Sequence, residues 1–450
     1  MHAIVAVLAC LTPAMPRVVR RQLTVIILAM LTMTGRVTMA GMARWSGRGG
    51  SYRTIQRFFQ TPIVWATLMW LVFRTHLHRP TTTYLLAGDE TVVTKAGTAT
   101  HGVDRFFSSI YGRPVPGLAF FALSLVSVAE RRAFPMAIEQ VIRTPADKAA
   151  STAKKAAAQH PPSAERRTPG RPKGSRTRPK TDRPLSPELQ RIGSMIGALT
   201  QRIAPLVPLT YLLLDGYFGH AAALQMARAQ NLHLISKLRT DAALYVPYTG
   251  PYAGRGPRQI YGAKLDYHAL PTAALHTTTV VGGVTTRIFQ TRLLHKDFPQ
   301  PLNVVIIQKT NAQTGKQAHV ILFSSDLDLS AATINDYYGL RFQIEFNFRD
   351  AKQHWGLEDF MNVTPAAVTN AANLALFMVT VAAALVADQP VDDPTISILD
   401  LKAGYRGQKY MDVVLKLLPE KPDPVLFTAL VRTVTSLGRI HPRQPATNSP

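Results

Sequence analysis

The sequence has only one cysteine, Cys10, and it lacks long hydrophobic runs. A single cysteine excludes a disulfide within the chain and a zinc site built from cysteines, which is consistent with a reducing cytoplasm. The apolar stretches 23–33 and 374–387 are shorter than the roughly 20 residues that span a bilayer. Residues 1–15 are apolar but lack the basic start of a signal peptide. We therefore expect no membrane-spanning segment, and a basic membrane-associated protein remains an alternative.

Acidic residues are also scarce. The chain has 27 Asp and Glu residues against 51 Lys and Arg, which gives a net charge of +24 and a pI near 10.4. Such an excess implies a polyanionic partner, with nucleic acid ahead of an anionic membrane surface. Hydrophobic residues make up 46% of the chain, which is typical of a globular protein rather than a disordered one.

The length of 450 residues allows two or three domains. Changes in composition and patterning divide the chain into a helical N-terminal region (1–78), an α/β core (79–143 and 188–239), a basic insert (144–187), a β-rich segment (240–325), further helices of the core (326–388) and a helical tail (389–450). The β-rich segment is either an insertion into the core or a continuation of its sheet.

The N-terminal region contains a pattern that resembles a helix-turn-helix unit. Two short helices are predicted at 37–45 and 51–60, joined by the Gly-rich stretch 46–50, with Ser51 as the N-cap of the second. The second helix would offer Arg53, Gln56 and Arg57 to DNA. The alternative is an ordinary helical hairpin with a solvated basic face.

The basic insert has almost no large apolar residue, so it cannot form a core. Within it, the stretch 168–176 resembles an AT-hook, in which a Gly-Arg-Pro core lies along the minor groove. This resemblance assigns Arg171 and Lys173 to DNA binding. A solvated linker is the competing interpretation.

Two aspartates follow apolar strand patterns. Asp89 is predicted to end a strand in the stretch 84–93, and Asp215 ends a second apolar strand and is followed by Gly216 and a helix. A strand, an acid, a glycine and a helix in this order are typical of a site at the carboxyl end of a sheet strand. Glu90 is a possible alternative ligand, although strand alternation directs it to the opposite face.

The stretch from Tyr337 to Phe360 is predicted to be one long helix. Arg341, Glu345 and Lys352 follow Tyr338 by 3, 7 and 14 residues, which places the four side chains within an arc of roughly 60° on one helix face. A carboxylate between two cations on so apolar a helix requires a partner. Neutralisation of neighbouring acids on the same helix is the structural alternative.

These motifs together resemble the DDE transposases of bacterial insertion sequences. The helix matches the Tyr-x2-Arg-x3-Glu-x6-Lys signature at every spacing, and the stretches around Asp89 and Asp215 are similar to the other two motifs. The resemblance implies a ribonuclease-H-like α/β fold, with a mixed sheet flanked by helices and a β-rich insertion before the final Glu. It also implies that Asp89, Asp215 and Glu345 are catalytic and hold two Mg²⁺ or Mn²⁺ ions.

The same resemblance gives roles to the rest of the signature. Arg341 and Lys352 would contact phosphates of the transposon end, and Tyr338 would lie near the terminal nucleotides. Some family members stack a flipped base on a Trp of the insertion, and here that segment has no Trp. Tyrosines of the same segment are the candidates to replace it, without a choice among them: Tyr245, Tyr248, Tyr252, Tyr261 and Tyr267.

The sequence therefore predicts a transposase that binds inverted repeats of double-stranded DNA, cleaves the element ends and joins them to target DNA. We expect it to act as a homodimer, because two ends must be paired, and to be cytoplasmic and nucleoid-associated. A catalytically inactive, transposase-derived repressor is the alternative function.

Overall fold

The fold is taken from a computed structural model that describes residues 2–108, 111–145, 149, 184–252, 254–388, 396–420 and 422–441. The α-helices in these ranges are α1 (His2–Leu8), α2 (Arg17–Thr32), α3 (Met39–Ser46), α4 (Tyr52–Gln60), α5 (Trp65–Val72), α6 (Pro187–Ile203), α7 (Ala221–Ala229), α8 (Ala331–Leu340), α9 (Gln343–Trp355), α10 (Pro365–Ala387), α11 (Ile398–Leu417) and α12 (Pro424–Ser436).

The strands in the same ranges are β1 (Tyr84–Thr94), β2 (Asp104–Ser108), β3 (Arg113–Ser127), β4 (Arg132–Val141), β5 (Tyr211–Leu213), β6 (His233–Leu238), β7 (Leu244–Pro247), β8 (Tyr261–Lys264), β9 (Leu275–Val281), β10 (Val284–His295), β11 (Leu302–Asn311) and β12 (Gln317–Ser324).

These strands form one mixed sheet flanked by helices. Its order is β2-β3-β1-β5-β6-β12-β11-β10-β7-β8, with β4 beside β3 and β9 beside β10. The pairs β1–β5 and β5–β6 are parallel, whereas β12 pairs with β6 in antiparallel fashion. The strands of the segment 240–325 therefore continue the core sheet, which is one of the two possibilities that the sequence left open.

The N-terminal helices have the predicted order. The Ser51 side chain accepts from the Thr54 amide at the start of α4, and Ile55, Phe58 and Phe59 form the buried face of that helix. This segment shares its packing with the rest of the chain. Asn370 on α10 accepts from the Trp65 indole at 2.7 Å and donates to backbone carbonyls at the end of α4.

Helix α10 is long and apolar enough to cross a membrane, but it lies in the protein interior. In its most apolar window, 89% of the residues are buried inside the protein. A core helix of a globular protein has the same composition, since it is surrounded by other apolar side chains. The apolar stretch 374–387 lies within this buried helix.

The prediction of one long helix from Tyr337 to Phe360 is wrong. The helix is interrupted between α8 and α9, because the amides of Phe342, Ile344 and Glu345 bond to carbonyls three residues earlier instead of four. It ends at Trp355, where Gly356 takes a left-handed conformation with φ of 80°. Arg341 lies in the interruption, so the four signature residues do not share one continuous helix face.

Candidate active site

Asp89 lies on β1, and Asp215 follows the neighbouring strand β5. The parallel register pairs Leu86 with Leu212 and Ala87 with Leu213, and each aspartate follows two residues after the last pair. Asp215 lies just beyond β5, as predicted. Asp89 lies within β1 rather than at its end, because the antiparallel pairing with β3 continues as far as Thr94.

Glycines permit the close packing around these two acids. A Cβ on Gly88 would lie 2.8 Å from the Phe121 ring and 2.9 Å from Leu214, closer than such atoms approach. Gly219 meets the backbone of β6 in a similar way, and the Ser236 hydroxyl donates to the carbonyl of Asp215 at 2.7 Å. The backbone of each aspartate is therefore fixed by its neighbours.

Arg341 links the carboxylates of two distant segments. Its Nη1 donates to Oδ2 of Asp89 at 2.7 Å, and its Nη2 lies 3.4 Å from Oε1 of Glu345. The side chains of Arg341 and Asp89 are 14% and 19% exposed, so this ion pair is largely shielded from water. The Tyr338 ring lies beside the guanidinium, with its centroid 5.8 Å away. Tyr338 and Glu345 thus lie beside Arg341, which in turn binds Asp89.

The electrostatics of Asp89 reflect this crowding. Burial raises the pKa of its carboxyl to about 6, while Arg341 and the Glu90 amide lower it and the charges of Asp215 and Glu345 raise it further. The Glu90 amide donates to Oδ1 of Asp89 at 2.8 Å. Both oxygens of Asp89 are therefore already hydrogen-bonded within the chain.

The carboxylate of Asp215, unlike that of Asp89, has an oxygen that lacks a hydrogen-bond partner in the part of the chain that the structure describes. Its Oδ1 is buried and has no hydrogen-bond partner among the described residues. Such an atom is costly to bury unless it meets a cation or a donor. An acidic set of this kind suits a hard divalent cation, and Asp89, Asp215 and Glu345 would supply only oxygen ligands. Within the described ranges, no three His, Cys, Asp or Glu side chains are close enough to hold a metal ion, and Arg341 occupies Asp89.

A groove of about 700 Å³ runs past the two aspartates. Glu90 lines it together with Asp89, although strand alternation predicted the opposite face. The reason lies in the sheet: β1 pairs with β5 only at Leu86 and Ala87, so beyond them that side of β1 is open. Burial, followed by the charge of Glu188, raises the pKa of Glu90 to about 7.

Lys352 also lines this groove, but its charge is engaged within the protein. Its Nζ donates to the Val92 carbonyl at 2.9 Å and lies 3.4 Å from Glu358. The structure therefore places Lys352 beside the aspartates, and it leaves a contact with DNA phosphate as a prediction.

The remaining predicted DNA contacts lie elsewhere. Arg53, Gln56 and Arg57 project from α4 and are exposed to solvent. Arg171 and Lys173 of the AT-hook-like stretch lie outside the described residues.

Comparison with known protein families shows which family the chain belongs to. A family described as DDE superfamily endonuclease matches residues 9–293, which is more than half of the chain and includes Asp89 and Asp215. The chain belongs to this family. Glu345 lies beyond the matched residues, so the branch carrying the Tyr-Arg-Glu-Lys signature is not established by the match. A search of curated proteins finds no match to the chain.

Membership of this family establishes the coarse chemistry. DDE endonucleases act on DNA, cleave phosphodiester bonds and generally use divalent metal ions such as Mg²⁺. The mixed sheet flanked by helices is consistent with the ribonuclease-H-like fold that the sequence predicted.

Sequence reasoning missed several residues of the groove wall. Phe107, Arg143, Arg191 and Tyr217 line the same groove as Asp89 and Asp215. Only Tyr217 had a usable signal, since it stands two residues after Asp215. The others come from β2, from the stretch just after β4 and from α6, and no pattern in the sequence brings these segments together.

Proposed function

We propose that this DDE endonuclease is the transposase of an insertion sequence, which cleaves DNA at the element ends and transfers the strands to target DNA. The observation that supports this function best is the ion pair between Arg341 and Asp89. It joins the Tyr-Arg-Glu-Lys signature to the first acidic motif, although 252 residues of sequence separate them. A helix that only neutralised its own charges would not need that distant partner.

In this proposal Asp89, Asp215 and Glu345 hold two divalent ions, Mg²⁺ or Mn²⁺. The chemistry that such ions supply when bound is activation of the attacking oxygen and stabilisation of the leaving oxygen. The chain itself positions the phosphate. Arg341 and Lys352 hold the DNA backbone against the carboxylates, and Tyr338 packs beside Arg341 near the terminal nucleotides.

Recognition of the element ends is assigned to the N-terminal helices. Residues 1–88 contain ten arginines and no Asp or Glu, so this region attracts DNA without any acidic residue to oppose it. Arg53, Gln56 and Arg57 on α4 are the proposed contacts with the DNA. Arg21 of α2 lies beside Gly49 of the α3–α4 turn and places a further cation next to α4.

Further DNA contacts are assigned to Arg171 and Lys173. The insert that carries them leaves the described fold near Thr144 and returns near Pro187, and both of these residues line the groove. The proposal also includes a homodimer that pairs two ends, in a cytoplasmic, nucleoid-associated location.

The test is a cleavage assay on DNA that carries the inverted repeats flanking the gene. We expect nicks at the element ends that require Mg²⁺ and that disappear in Asp215→Ala. A matched control is Asp241→Ala, since Asp241 is an exposed partner of Arg239 away from the groove. Equal products from the wild type and Asp215→Ala would refute the proposal. Binding to the repeats without cleavage would favour the alternative, an inactive transposase-derived repressor.

A further inference from the structure

The groove beside Asp89 and Asp215 carries two large aromatic side chains that are exposed to solvent. Phe107 on β2 is 63% exposed, and Tyr217, which follows Asp215, is 66% exposed. Each has a buried aromatic neighbour in sequence, Phe106 and Phe218, which packs into the protein instead. In each pair the buried ring anchors the backbone from which the exposed ring projects.

Tyr217 is fixed further by its contacts. Its ring lies edge-on to Phe218 with centroids 5.0 Å apart, and its hydroxyl lies within hydrogen-bond distance, 3.3 Å, of Glu188 Oε2. Because these contacts already hold the Tyr217 side chain, little conformational freedom would be lost when a ligand stacks on the ring face in the groove. A rigid exposed ring beside a catalytic centre is suited to stacking on a flat ligand.

Arginine side chains complete this wall. Arg191 on α6 lines the groove, and its Nε and Nη2 are buried without a hydrogen-bond partner in the part of the chain that the structure describes. The Arg143 guanidinium lies 4.8 Å from the centre of the Phe106 ring and also lines the groove. Unpaired buried N–H groups of a cation are satisfied by an anionic oxygen.

We propose that Phe107, Tyr217 and Arg191 form a subsite for one unpaired nucleotide of the DNA strand that is cut. The base stacks on the two exposed rings, and Arg191 donates to the sugar-phosphate backbone. Aromatic rings beside cations are the usual means of holding single-stranded nucleic acid. This inference rests on the proposed function for the identity of the strand, but the subsite itself is defined by the groove.

The tyrosines of the segment 240–325 are less suited to this role. Among the described residues, none of them lines this groove. Tyr245 packs edge-on to Tyr261, and Tyr267 stacks on His319. Tyr252 is 51% exposed but its hydroxyl is bound to the Gly256 carbonyl outside the groove. The structure thus directs the choice of a stacking residue away from that segment.

The experiment uses the full chain without metal, so that no cleavage is needed. The first probe is a dT oligonucleotide carrying 5-iodo-deoxyuridine, which crosslinks to stacked aromatic side chains on irradiation. We expect crosslinks in the peptides that contain Phe107 or Tyr217, and their loss in Tyr217→Ala. Tyr252→Ala is the matched control and should leave them unchanged. Crosslinks confined to other peptides would overturn the proposal.

Affinity provides the second readout. Tyr217→Ala should weaken binding of the dT oligonucleotide by about 5- to 150-fold and leave binding of an abasic oligonucleotide of equal length unchanged, since only stacking is lost. Arg191→Gln should weaken both. Tyr217→Phe keeps the ring and should bind as the wild type does; a loss equal to that of Tyr217→Ala would refute stacking. A protein that fails to cleave DNA but gives these results would refute the proposed function and retain the subsite.

Discussion

The ion pair between Arg341 and Asp89 should weaken the binding of divalent metal ions at the candidate site. Both oxygens of Asp89 are hydrogen-bonded within the chain, one to the Glu90 amide and one to Arg341. A cation that binds Asp89 must therefore compete with the guanidinium. Replacing the arginine in Arg341→Gln removes that competitor, so we expect divalent metal to bind more tightly in the variant. A residue that served only to contact DNA would leave metal affinity unchanged.

The size of the effect follows from the contact. A hydrogen bond to a charged group contributes about 1.5–3 kcal/mol, and this pair is mostly shielded from solvent. One factor of ten in affinity corresponds to about 1.4 kcal/mol. The expected gain in metal affinity is therefore about 10- to 150-fold. Loss of the arginine also leaves the carboxylates unbalanced, so without metal the variant should unfold at a lower temperature than the wild type.

The assay is titration of Mn²⁺ followed by the magnetic resonance signal of the free ion, at a pH above 8 so that Asp89 is ionised in both proteins. Thermal unfolding with and without metal provides a second measurement, and metal should raise the unfolding temperature more in the variant. Arg349→Gln is the matched control, because Arg349 lies on α9, is 52% exposed and pairs with Asp350. Equal or weaker metal affinity in a folded Arg341→Gln protein would refute the reasoning.

Three further predictions concern pH, DNA binding and the N-terminal helices. The pKa of Asp89 is raised to about 6, so the folded state holds this proton more tightly than the unfolded state does. The free energy of unfolding of the metal-free protein should therefore fall by up to about 3 kcal/mol between pH 4 and about 6. Asp89→Asn should remove this pH dependence. Arg53→Ala and Arg57→Ala should each weaken binding to repeat DNA and reduce the slope of log affinity against log salt by about 1. Arg292 is also exposed, and Arg292→Ala should change neither the affinity nor the slope. Unchanged slopes in the α4 variants would exclude α4 from the DNA interface. Asn370→Ala should lower the free energy of unfolding by about 3 kcal/mol in a denaturant titration, because it removes three hydrogen bonds to the N-terminal helices; a change under about 1 kcal/mol would show that those helices contribute little.

Local patterns were sufficient to predict much of the fold. The strand of Asp89, the apolar strand before Asp215 and the capped helix at Ser51 all depend on residues close in sequence, and the structure has each of them. The interruption at Arg341 was not predictable in this way. Apolar spacing continues across it, and the change from four-residue to three-residue hydrogen bonds leaves no mark on that spacing.

The wall of the groove was unpredictable for a different reason. Arg143 and Arg191 lie on opposite sides of the basic insert in sequence, and they line the same groove only because β4 and α6 pack against each other in the fold. A surface arginine and one that lines a functional groove have the same sequence signal. Arg191 differs from an ordinary surface arginine in its buried N–H groups that lack a hydrogen-bond partner among the described residues, and only the coordinates reveal this difference.

The charges at the candidate site also explain why an arginine stands in the signature. Asp89, Asp215 and Glu345 influence one another, and the burial of Asp89 makes its negative charge unfavourable without a cation. Arg341 supplies one positive charge to a group of three carboxylates, which is enough to keep Asp89 paired but leaves Asp215 Oδ1 without a donor in the described residues. Such a site retains an affinity for further cations. The same guanidinium, once released from Asp89, is free to meet a phosphate. On this argument, metal binding and DNA binding should strengthen each other in the wild type, and that coupling should be lost in Arg341→Gln.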